Sequence, residues 1–369
     1  MNIIFISHSS YPCGIGGMEI FNYHLINELS KKYNIQVLTP CKKYHNPNVV
    51  IKRENYRLFG IRRFGFSKIA LMLQDIFHIL TAKNCDLILI SYTGNSEHYS
   101  LYFPFIKRFK KIEYVIINHG GGIIEWKYKK RTLDFFKGAK ANIAVSEPIK
   151  KEYEKRINKE VLVLPPLLPF KKSPKNKNET RKQFGISAES IVILSVGSLK
   201  DIKNPIVLLK AFISLGKEYI VSNDLQLYFA GSGPLYPVMK DMISQCEMSS
   251  RITLLGDIKN EDIFNYYVLA DIYIINSIFE GTPISLLEAM FNKNIIIGSN
   301  SRGINQIIQD GYNGLLYDYD NMNMLTEKIR FIIANPELTL SLKENAYNFY
   351  LEEYNFEDMI LTYQQLIEA

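Results

Sequence analysis

Cysteine is scarce in this chain of 369 residues, and long apolar runs are missing from it. The four cysteines are widely separated and form no C-x-x-C pair, namely Cys13, Cys41, Cys85 and Cys246. This spacing predicts neither a disulfide framework nor a zinc knuckle, and it is typical of a reducing cytoplasm. No stretch approaches about 18 uninterrupted apolar residues, so the sequence predicts no membrane-spanning helix.

A secretion signal is also missing. The apolar residues at the start, Met1 to Ile6, run straight into polar Ser7 and His8, with no basic segment and no small-residue cleavage site. We therefore expect a protein that is not secreted. The predicted location is the cytoplasm, either free or at the inner face of the cell membrane.

The net charge of +7 hides an uneven distribution of charged residues. Residues 1–170 carry 26 Lys and Arg against 13 Asp and Glu, whereas the remaining residues carry 18 against 24. Basic clusters with interleaved aromatic and aliphatic residues lie at Arg62–Arg63, Lys107–Lys111 and Lys127–Arg131. Anionic lipid headgroups attract such segments by about 1 kcal/mol per basic residue. The alternative is a solvated basic face; no nucleic-acid-binding motif accompanies the charge, so we expect no nucleic-acid partner.

The apolar segments follow the same order in both halves of the chain. A strand predicted at Ile3–Ile6 leads into a glycine-rich loop, a helix with apolar residues at spacings of three and four, and a strand at Ile35–Thr39. This order is that of a doubly wound α/β sheet, and it restarts at Ile191–Val196. Further strands are predicted at Leu87–Ile90, Tyr114–Ile117, Ala141–Val145, Val161–Leu164, Leu225–Phe229, Ile252–Leu255, Ile272–Ile275 and Ile295–Ile297.

The length and the 47% hydrophobic content suit two ordinary domains. Prolines and charges replace the apolar pattern from Pro165 onward. We therefore predict an N-terminal Rossmann-like domain at 1–168, a linker at 169–186, a C-terminal Rossmann-like domain at 187–352 and a final helical segment at 353–369.

Two glutamates eight positions apart are the most informative feature of the sequence. Glu280 precedes a Gly281-Thr282-Pro283 turn that should open a helix, and Glu288 lies inside that helix. The first turn of a helix offers free N–H groups and the positive end of the dipole, so the segment from Gly281 to Ile284 is suited to phosphate or sugar oxygens. A surface helix that happens to carry two acids is the alternative.

This stretch resembles the signature of the retaining glycosyltransferases of family 4, which have the GT-B fold of two Rossmann-like domains facing a central cleft. The resemblance implies that Glu280 contacts hydroxyls of the donor sugar, that the amides of the following loop hold the sugar and phosphate, and that Glu288 binds the ribose diol. It also implies that the final helix crosses back to the first domain.

Glycines follow two predicted strands of the first half, Gly14, Gly16 and Gly17 after the first and Gly120 to Gly122 after Ile117. Glycine lets the backbone approach a phosphate or sugar closely, although a tight turn requires it equally. His119 stands at the end of a strand where the family has a histidine near the anomeric centre. The resemblance makes His119 a candidate catalytic residue; a histidine that merely caps a strand is the alternative.

In the second half, the run from Gly197 to Lys203 resembles the family's Gly-Arg-then-Lys run, whose two cations hold the donor diphosphate. Ser198 stands where arginine is usual, so only Lys203 remains as a cation at the expected spacing. Lys200 or a base from the first half is an open substitute. Gly231 and Ile258 match further donor-binding positions of the family, the latter beside the nucleobase.

Asp318 and Asp320 form an Asp-x-Asp pair of the kind that holds a divalent ion in glycosyltransferases of another fold. The pair follows an Asn-Gly turn late in the chain, far in order from any glycine loop, and is expected to be a solvated loop. We therefore predict no metal and no cofactor. Ala270, Asp271 and Asn313 match family landmarks that we interpret as structural.

The resemblance therefore implies a metal-independent, retaining transfer of sugar from a nucleotide diphosphate sugar, with a uridine diphosphate sugar favoured on family frequency. The acceptor is expected to be a glycan or lipid-linked oligosaccharide in surface-polysaccharide synthesis, bound by the first domain near Tyr92–Ser96 or His98. Two alternatives stay open. One is a GT-B epimerase or phosphorylase, and the other is a nucleotide-sugar-binding scaffold that has lost catalysis, for which Ser198 is the argument.

Overall fold

A computed structural model describes residues 1–7, 17–41, 45–53, 64–92, 98–119, 130–165, 176–281 and 283–369. The chain divides into two compact units, 1–169 with 356–369 and 170–355. Each unit contains one parallel sheet with helices packed against it.

The sheet of the first unit has seven parallel strands in the order β3-β2-β1-β4-β5-β6-β7. The strands are β1 (Asn2–Ile6), β2 (Asn34–Thr39), β3 (Val50–Arg53), β4 (Leu87–Tyr92), β5 (Glu113–Asn118), β6 (Ala141–Ala144) and β7 (Leu162–Val163). The helices between them are α1 (Gly17–Leu29), α2 (Phe64–Thr81), α3 (Tyr99–Lys110), α4 (Lys130–Gly138) and α5 (Glu147–Ile157). Aromatic rings from α3 and α4 fill much of the core on one face, where Tyr114 stacks on Phe135 at a centroid distance of 5.4 Å.

The sheet of the second unit has six parallel strands in the order β10-β9-β8-β11-β12-β13. The strands are β8 (Ile191–Val196), β9 (Leu225–Ala230), β10 (Ile252–Gly256), β11 (Ile272–Ile275), β12 (Ile295–Ser299) and β13 (Leu315–Tyr317). The helices are α6 (Lys177–Gln183), α7 (Pro205–Ser214), α8 (Lys217–Ser222), α9 (Tyr236–Ser244), α10 (Asn260–Leu269), α11 (Ile284–Phe291), α12 (Met322–Ala334) and α13 (Pro336–Glu353).

The last helix, α14 (Phe356–Glu368), belongs to the first unit. It packs against α1, where the rings of Phe21 and Tyr363 lie 6.4 Å apart. Glu368 accepts a hydrogen bond from the Tyr33 hydroxyl at 2.7 Å and pairs with Lys32 at 2.6 Å. The end of the chain is thus fastened to the beginning of the first unit.

The doubly wound α/β fold that the sequence predicts is confirmed, and every predicted strand is present. Two short strands are added, β3 and β13, each at an edge of its sheet. Residues 177–183 of the predicted linker form the helix α6, whose first turn is capped by Asn176 and Glu179 in a reciprocal capping box.

Cysteine pairing departs from the expectation of four reduced thiols. Cys41, two residues after the end of β2, is disulfide-bonded, whereas Cys85 and Cys246 are free.

Asp271 fastens α6 to the second sheet. Its carboxylate accepts hydrogen bonds from the Val192 amide at 2.7 Å and from the Arg181 guanidinium at 2.5 Å, and it pairs with Lys177. Arg181 is buried and also donates to the carbonyls of Leu269 and Ala188. These contacts agree with the structural interpretation of Asp271.

The direction of strand order reverses between β8 and β11 in the second sheet. Open α/β sheets bind ligands outside the carboxyl ends of the strands at such a reversal. The residues that follow β8 and β11 therefore occupy the position where a ligand site is expected, and they contain Lys203 and Glu280 respectively.

Within the ranges given above, no helix combines the length and the apolar character needed to cross a bilayer. The same part of the chain holds no group of three or more His, Cys, Asp or Glu side chains that could bind a metal ion.

Candidate active site

Two loops at the carboxyl edge of the second sheet are joined by an ion pair. We call residues 197–204, which follow β8, the lysine loop and residues 276–281, which follow β11, the acidic loop. The Lys203 ammonium of the first loop pairs with the Glu280 carboxylate of the second. The Glu280 side chain is 13% exposed and that of Lys203 31%. The structure thus brings together two predicted site residues that are far apart in sequence.

The backbones of the two loops are joined as well. The Ile278 amide donates to the Ile202 carbonyl at 2.9 Å, and the Asn276 side-chain amide donates to the Asn204 carbonyl. Because both loops follow strands adjacent in the sheet, these bonds fix the direction in which Lys203 and Glu280 point.

Glu280 is held from three sides. Its carboxylate accepts a hydrogen bond from the Ser277 hydroxyl at 2.6 Å, and its amide donates to the Arg302 carbonyl at 3.0 Å. Gly303 lies against its backbone, where an added Cβ would stand 2.3 Å from the Glu280 carbonyl oxygen. Because several contacts hold this loop, the Glu280 side chain is kept in one orientation.

Sequence reasoning missed the residues that support the acidic loop from β12. The hydroxyls of Ser299 and Ser301 both donate to the Ser277 carbonyl, each at 2.7 Å. Together with Gly303, these two serines support the backbone of the acidic loop that carries Glu280. No local spacing marks them, because serines and a glycine near a strand end are common; only the fold places them there.

Glu288 lies in the second turn of α11 and accepts a hydrogen bond from the Tyr267 hydroxyl of α10 at 2.7 Å. Burial raises the pKa of the Glu288 carboxyl from 4.5 to about 7, and the bond from Tyr267 offsets part of that rise. Tyr267 was not predicted as a site residue. The carboxylate lies on the same helix that follows the acidic loop, as the spacing from Glu280 predicts.

Helix α11 begins shortly after the acidic loop in the chain. Pro283 is the residue before the first helical turn, and among the described residues no side chain caps that end. The amides of Ile284 and Ser285 therefore remain suited to anionic oxygens, whereas the Leu286 amide donates to the Pro283 carbonyl at 3.0 Å. Gly281 has open space where a Cβ would lie, so its backbone is accessible.

Glycines interlock the ends of β8, β9 and β10. The Gly197 amide donates to the Ala230 carbonyl at 2.9 Å, and the Gly231 amide donates to the Gly256 carbonyl at 2.8 Å. Gly231 has a φ of 136°, and an added Cβ would stand 2.1 Å from the Gly197 carbonyl oxygen. A side chain at Gly231 is therefore excluded by backbone, which explains this glycine without a ligand.

Ser198 and Ile258 are partly buried at the same edge of the sheet, in the segments that follow β8 and β10. Lys200 is exposed. The structure thus places Gly197, Ser198, Lys203, Gly231, Ile258 and Glu280 in the segments that follow the carboxyl ends of the strands, whereas Glu288 lies inside α11; their binding roles stay predictions.

His119 belongs to the first unit and directly follows β5. Its amide donates to the Tyr92 carbonyl at 3.1 Å, and its ring packs edge-on against Phe21 at 5.6 Å. Burial lowers the pKa of His119 to about 3, and its Nε2 atom is buried with no hydrogen-bond partner among the described residues. The lowered pKa favours the neutral imidazole at physiological pH.

Several predicted residues lie outside the described residues. Gly17 is described only as the first residue of α1. The remainder are Gly14, Gly16, Arg62, Arg63, Gly120–Gly122, Lys127, Lys129, Thr93–Ser96, Pro166 and Thr282. Asp318 and Asp320 follow β13 and are both exposed, as a solvated loop requires.

Solved structures share this fold over the whole chain. The HepE protein of Anabaena, solved in complex with UDP, matches with a TM-score of 0.78 and 16% identity, covering 100% of both chains. Two doubly wound units of this kind define the GT-B class of glycosyltransferase folds. At this identity the likeness concerns the fold alone.

Family models place the chain more narrowly. The model "Glycosyltransferase Family 4" matches residues 15–167, and the model "Glycosyl transferases group 1" matches residues 176–349. The two matches lie side by side and together leave only short segments unmatched. The chain therefore belongs to the GT-B glycosyltransferases of these two groups, and glycosyltransferase activity is supported.

Curated relatives agree with this assignment. An uncharacterized glycosyltransferase of Methanocaldococcus jannaschii is 24% identical over 374 residues, covering 97% of this chain and 95% of the relative. The alpha-monoglucosyldiacylglycerol synthase of Acholeplasma laidlawii is 28% identical over 209 residues, covering 54% of this chain and 51% of the relative. The matched part thus spans about half the length of the latter relative, and likewise of an uncharacterized glycosyltransferase of Haemophilus influenzae.

Proposed function

We propose that this protein transfers a sugar from a uridine diphosphate sugar to an acceptor hydroxyl. The observation that carries the proposal is the fixed ion pair of Lys203 and Glu280 at the carboxyl edge of the second sheet. A cation beside an acid suits a sugar diphosphate, because the phosphate needs positive charge and the sugar hydroxyls need acceptors. The structural neighbour solved with UDP supports a uridine nucleotide.

The leaving group carries most of the chemistry. Negative charge develops on the departing diphosphate, where Lys203, Ser198 and the first amides of α11 are the proposed donors. The Glu280 carboxylate accepts hydrogen bonds from hydroxyls of the sugar, and the Glu288 carboxylate accepts hydrogen bonds from the ribose hydroxyls. On the resemblance to the retaining family, we propose transfer with retention and without a metal ion, the diphosphate itself taking the acceptor proton.

The acceptor that we propose is a lipid-linked glycan at the inner face of the cell membrane, in surface-polysaccharide synthesis. A relative named for a glycolipid product and the excess of basic residues in the first half support this choice. His98, buried at the start of α3, lies in the unit to which we assign the acceptor.

A thermal-shift panel of nucleotide sugars tests the donor. A ligand that binds the native state raises its stability by RT ln(1 + [L]/Kd), so a ligand at 100 times its Kd gives about 2.7 kcal/mol. We expect uridine diphosphate sugars to raise the Tm and guanosine diphosphate mannose to leave it unchanged. Single-turnover release of UDP then separates a transferase from a catalytically inactive scaffold, which binds the donor and releases nothing.

A further inference from the structure

Helix α2 exposes a row of large apolar side chains. Ile69, Leu73, Phe77 and Leu80 recur at spacings of four, four and three, so they share one face of the helix. Their exposed fractions run from 41% to 61%. The opposite face of α2 is buried, with Ile79 in the core of the first unit.

Helix α3 continues the pattern. Leu101, Phe105 and Phe109 recur at a spacing of four and are 48% to 65% exposed. The rings of Phe105 and Phe109 lie against each other at a centroid distance of 4.1 Å, while both remain open to solvent. Single exposed apolar residues are normal on protein surfaces, but contiguous groups of them mark interaction sites.

The two rows belong to one surface. Helices α2 and α3 contact each other, and the Tyr102 hydroxyl donates to the Asp75 carboxylate at 2.5 Å. The strand connections that contain them, β3 to β4 and β4 to β5, step across the sheet in the same direction, so right-handed crossovers place both helices on one face of the sheet. We call the seven exposed residues of the two rows the apolar surface.

Basic residues border the apolar surface at the C-terminal ends of both helices. Arg108, Lys110 and Lys111 at the end of α3 and Lys83 after α2 are exposed. Among the side chains described on the two helices, the only carboxylate is that of Asp75, which is buried. Protein interfaces are depleted of lysine, whereas an apolar helix face bordered by lysine and arginine fits the boundary between acyl chains and anionic headgroups.

We propose that the apolar surface enters the interface of an anionic lipid bilayer, with the phenylalanines among the upper acyl carbons and the basic residues on lipid phosphates. Such insertion reaches about 5–10 Å into the bilayer. The proposal deepens the lipid-linked acceptor of the proposed function, and its biological meaning rests on that function. It adds to charge attraction an apolar component that high salt does not remove.

Flotation of the full chain with vesicles tests this. We compare vesicles of phosphatidylglycerol and phosphatidylcholine with vesicles of phosphatidylcholine alone. Wild type is expected to float with the anionic vesicles at low salt. Phe105→Ser with Phe109→Ser should lower the partition coefficient by about tenfold or more. Arg108→Gln with Lys110→Gln should lower it by about fivefold per residue removed.

The matched control is Leu340→Ser with Leu351→Ser, two residues of α13 in the second unit that are 55% and 47% exposed. This variant should float as wild type does. An unbound wild type, or a phenylalanine variant that floats as well as the control, overturns the proposal. So does a concentration-dependent dimer that the phenylalanine variant dissociates, because the surface would then contact a second copy of the chain.

The donor site provides an independent readout. Every variant should keep the rise in Tm with UDP, since the substitutions lie in the first unit and on the exposed surface of α13. Flotation that fails with the UDP response intact contradicts only the bilayer proposal. A missing UDP response with intact flotation contradicts the proposed donor instead.

Discussion

At the scale of single residues, the ion pair of Lys203 and Glu280 sets the state in which the protein meets its donor. The Lys203 ammonium is paired with the Glu280 carboxylate. A diphosphate that binds Lys203 must share it with Glu280 or displace the carboxylate toward the sugar hydroxyls. The ion pair therefore holds the Lys203 side chain in position, so that donor binding does not have to order it.

Replacing Lys203 tests its role in the leaving-group step. For Lys203→Met we expect kcat to fall by about 100- to 1000-fold, the usual loss when one donor to a developing charge is removed. Lys210→Met, an exposed position on α7, should leave kcat unchanged. Steady-state release of UDP with an accepted donor measures both. A kcat for Lys203→Met within a few fold of wild type would remove Lys203 from the mechanism.

Glu280→Ala separates binding from transfer. The substitution removes a sugar contact and leaves the Lys203 cation without its carboxylate, so affinity for UDP should be retained or rise while transfer fails. Titration calorimetry with UDP and turnover with the donor sugar measure the two effects. Retained turnover would exclude the role that we assign to Glu280.

The raised pKa of Glu288 predicts a pH dependence of nucleotide binding. The carboxyl, with a pKa of about 7, is charged above that pH. Only the charged form accepts hydrogen bonds from the ribose hydroxyls at full strength. The wild-type affinity for UDP should therefore fall as pH drops from 8 to about 6. Glu288→Gln should bind more weakly by about 1.5–3 kcal/mol at the higher pH.

The difference between the two proteins isolates this carboxyl. Titration of the UDP phosphate is common to both and cancels in the comparison. The gap in binding free energy between wild type and Glu288→Gln should narrow as pH falls through 7. A gap that is constant over this range would show that Glu288 does not contact the nucleotide as a carboxylate.

At the scale of structural elements, the segment after β12 positions the acidic loop. Gly303 has a φ of 94°, and an added Cβ would meet the Glu280 backbone. Gly303→Ala should displace Glu280 and lower kcat by about 100-fold, because a misplacement of about 1 Å has that effect. Gly311→Ala, at a φ of 77° with open space around it, is the control for backbone strain alone. Equal kcat values in the two variants would contradict the positioning role.

The anchoring of α6 predicts a stability effect without a catalytic one. Asp271→Asn leaves the buried Arg181 cation without its charge partner, which costs about 3–5 kcal/mol when such a pair is broken. Glu247→Gln, which breaks the exposed pair with Lys217, should cost less than about 1 kcal/mol. Urea unfolding measures both. A loss for Asp271→Asn as small as that of the control would mean that the network carries little stability.

At the scale of the whole molecule, the sequence predicted the fold well. Parallel strands that are buried on both faces have continuous apolar sequences, as Ile272–Ile275 does. The edge strand Val50–Arg53 escaped because it is short and partly exposed, with Val50 at 56%. Strand ends also placed Lys203 and Glu280 correctly at one edge of the sheet.

The supporting layer of the site could not be predicted in the same way. Ser299 and Ser301 act through their hydroxyls and Gly303 through its backbone, in each case on a loop some 20 residues earlier in the chain, and no local pattern encodes such contacts. Tyr267 likewise reads as one more aromatic residue of an apolar helix face. Such residues become visible only when the packing of neighbouring strands and helices is known.

A crystal structure with UDP tests the central claim most directly. We predict that a diphosphate oxygen lies within hydrogen-bond distance of the Lys203 Nζ atom and that the ribose hydroxyls lie on the Glu288 carboxylate. UDP bound away from both side chains, with Lys203 still paired to Glu280 alone, would contradict the account.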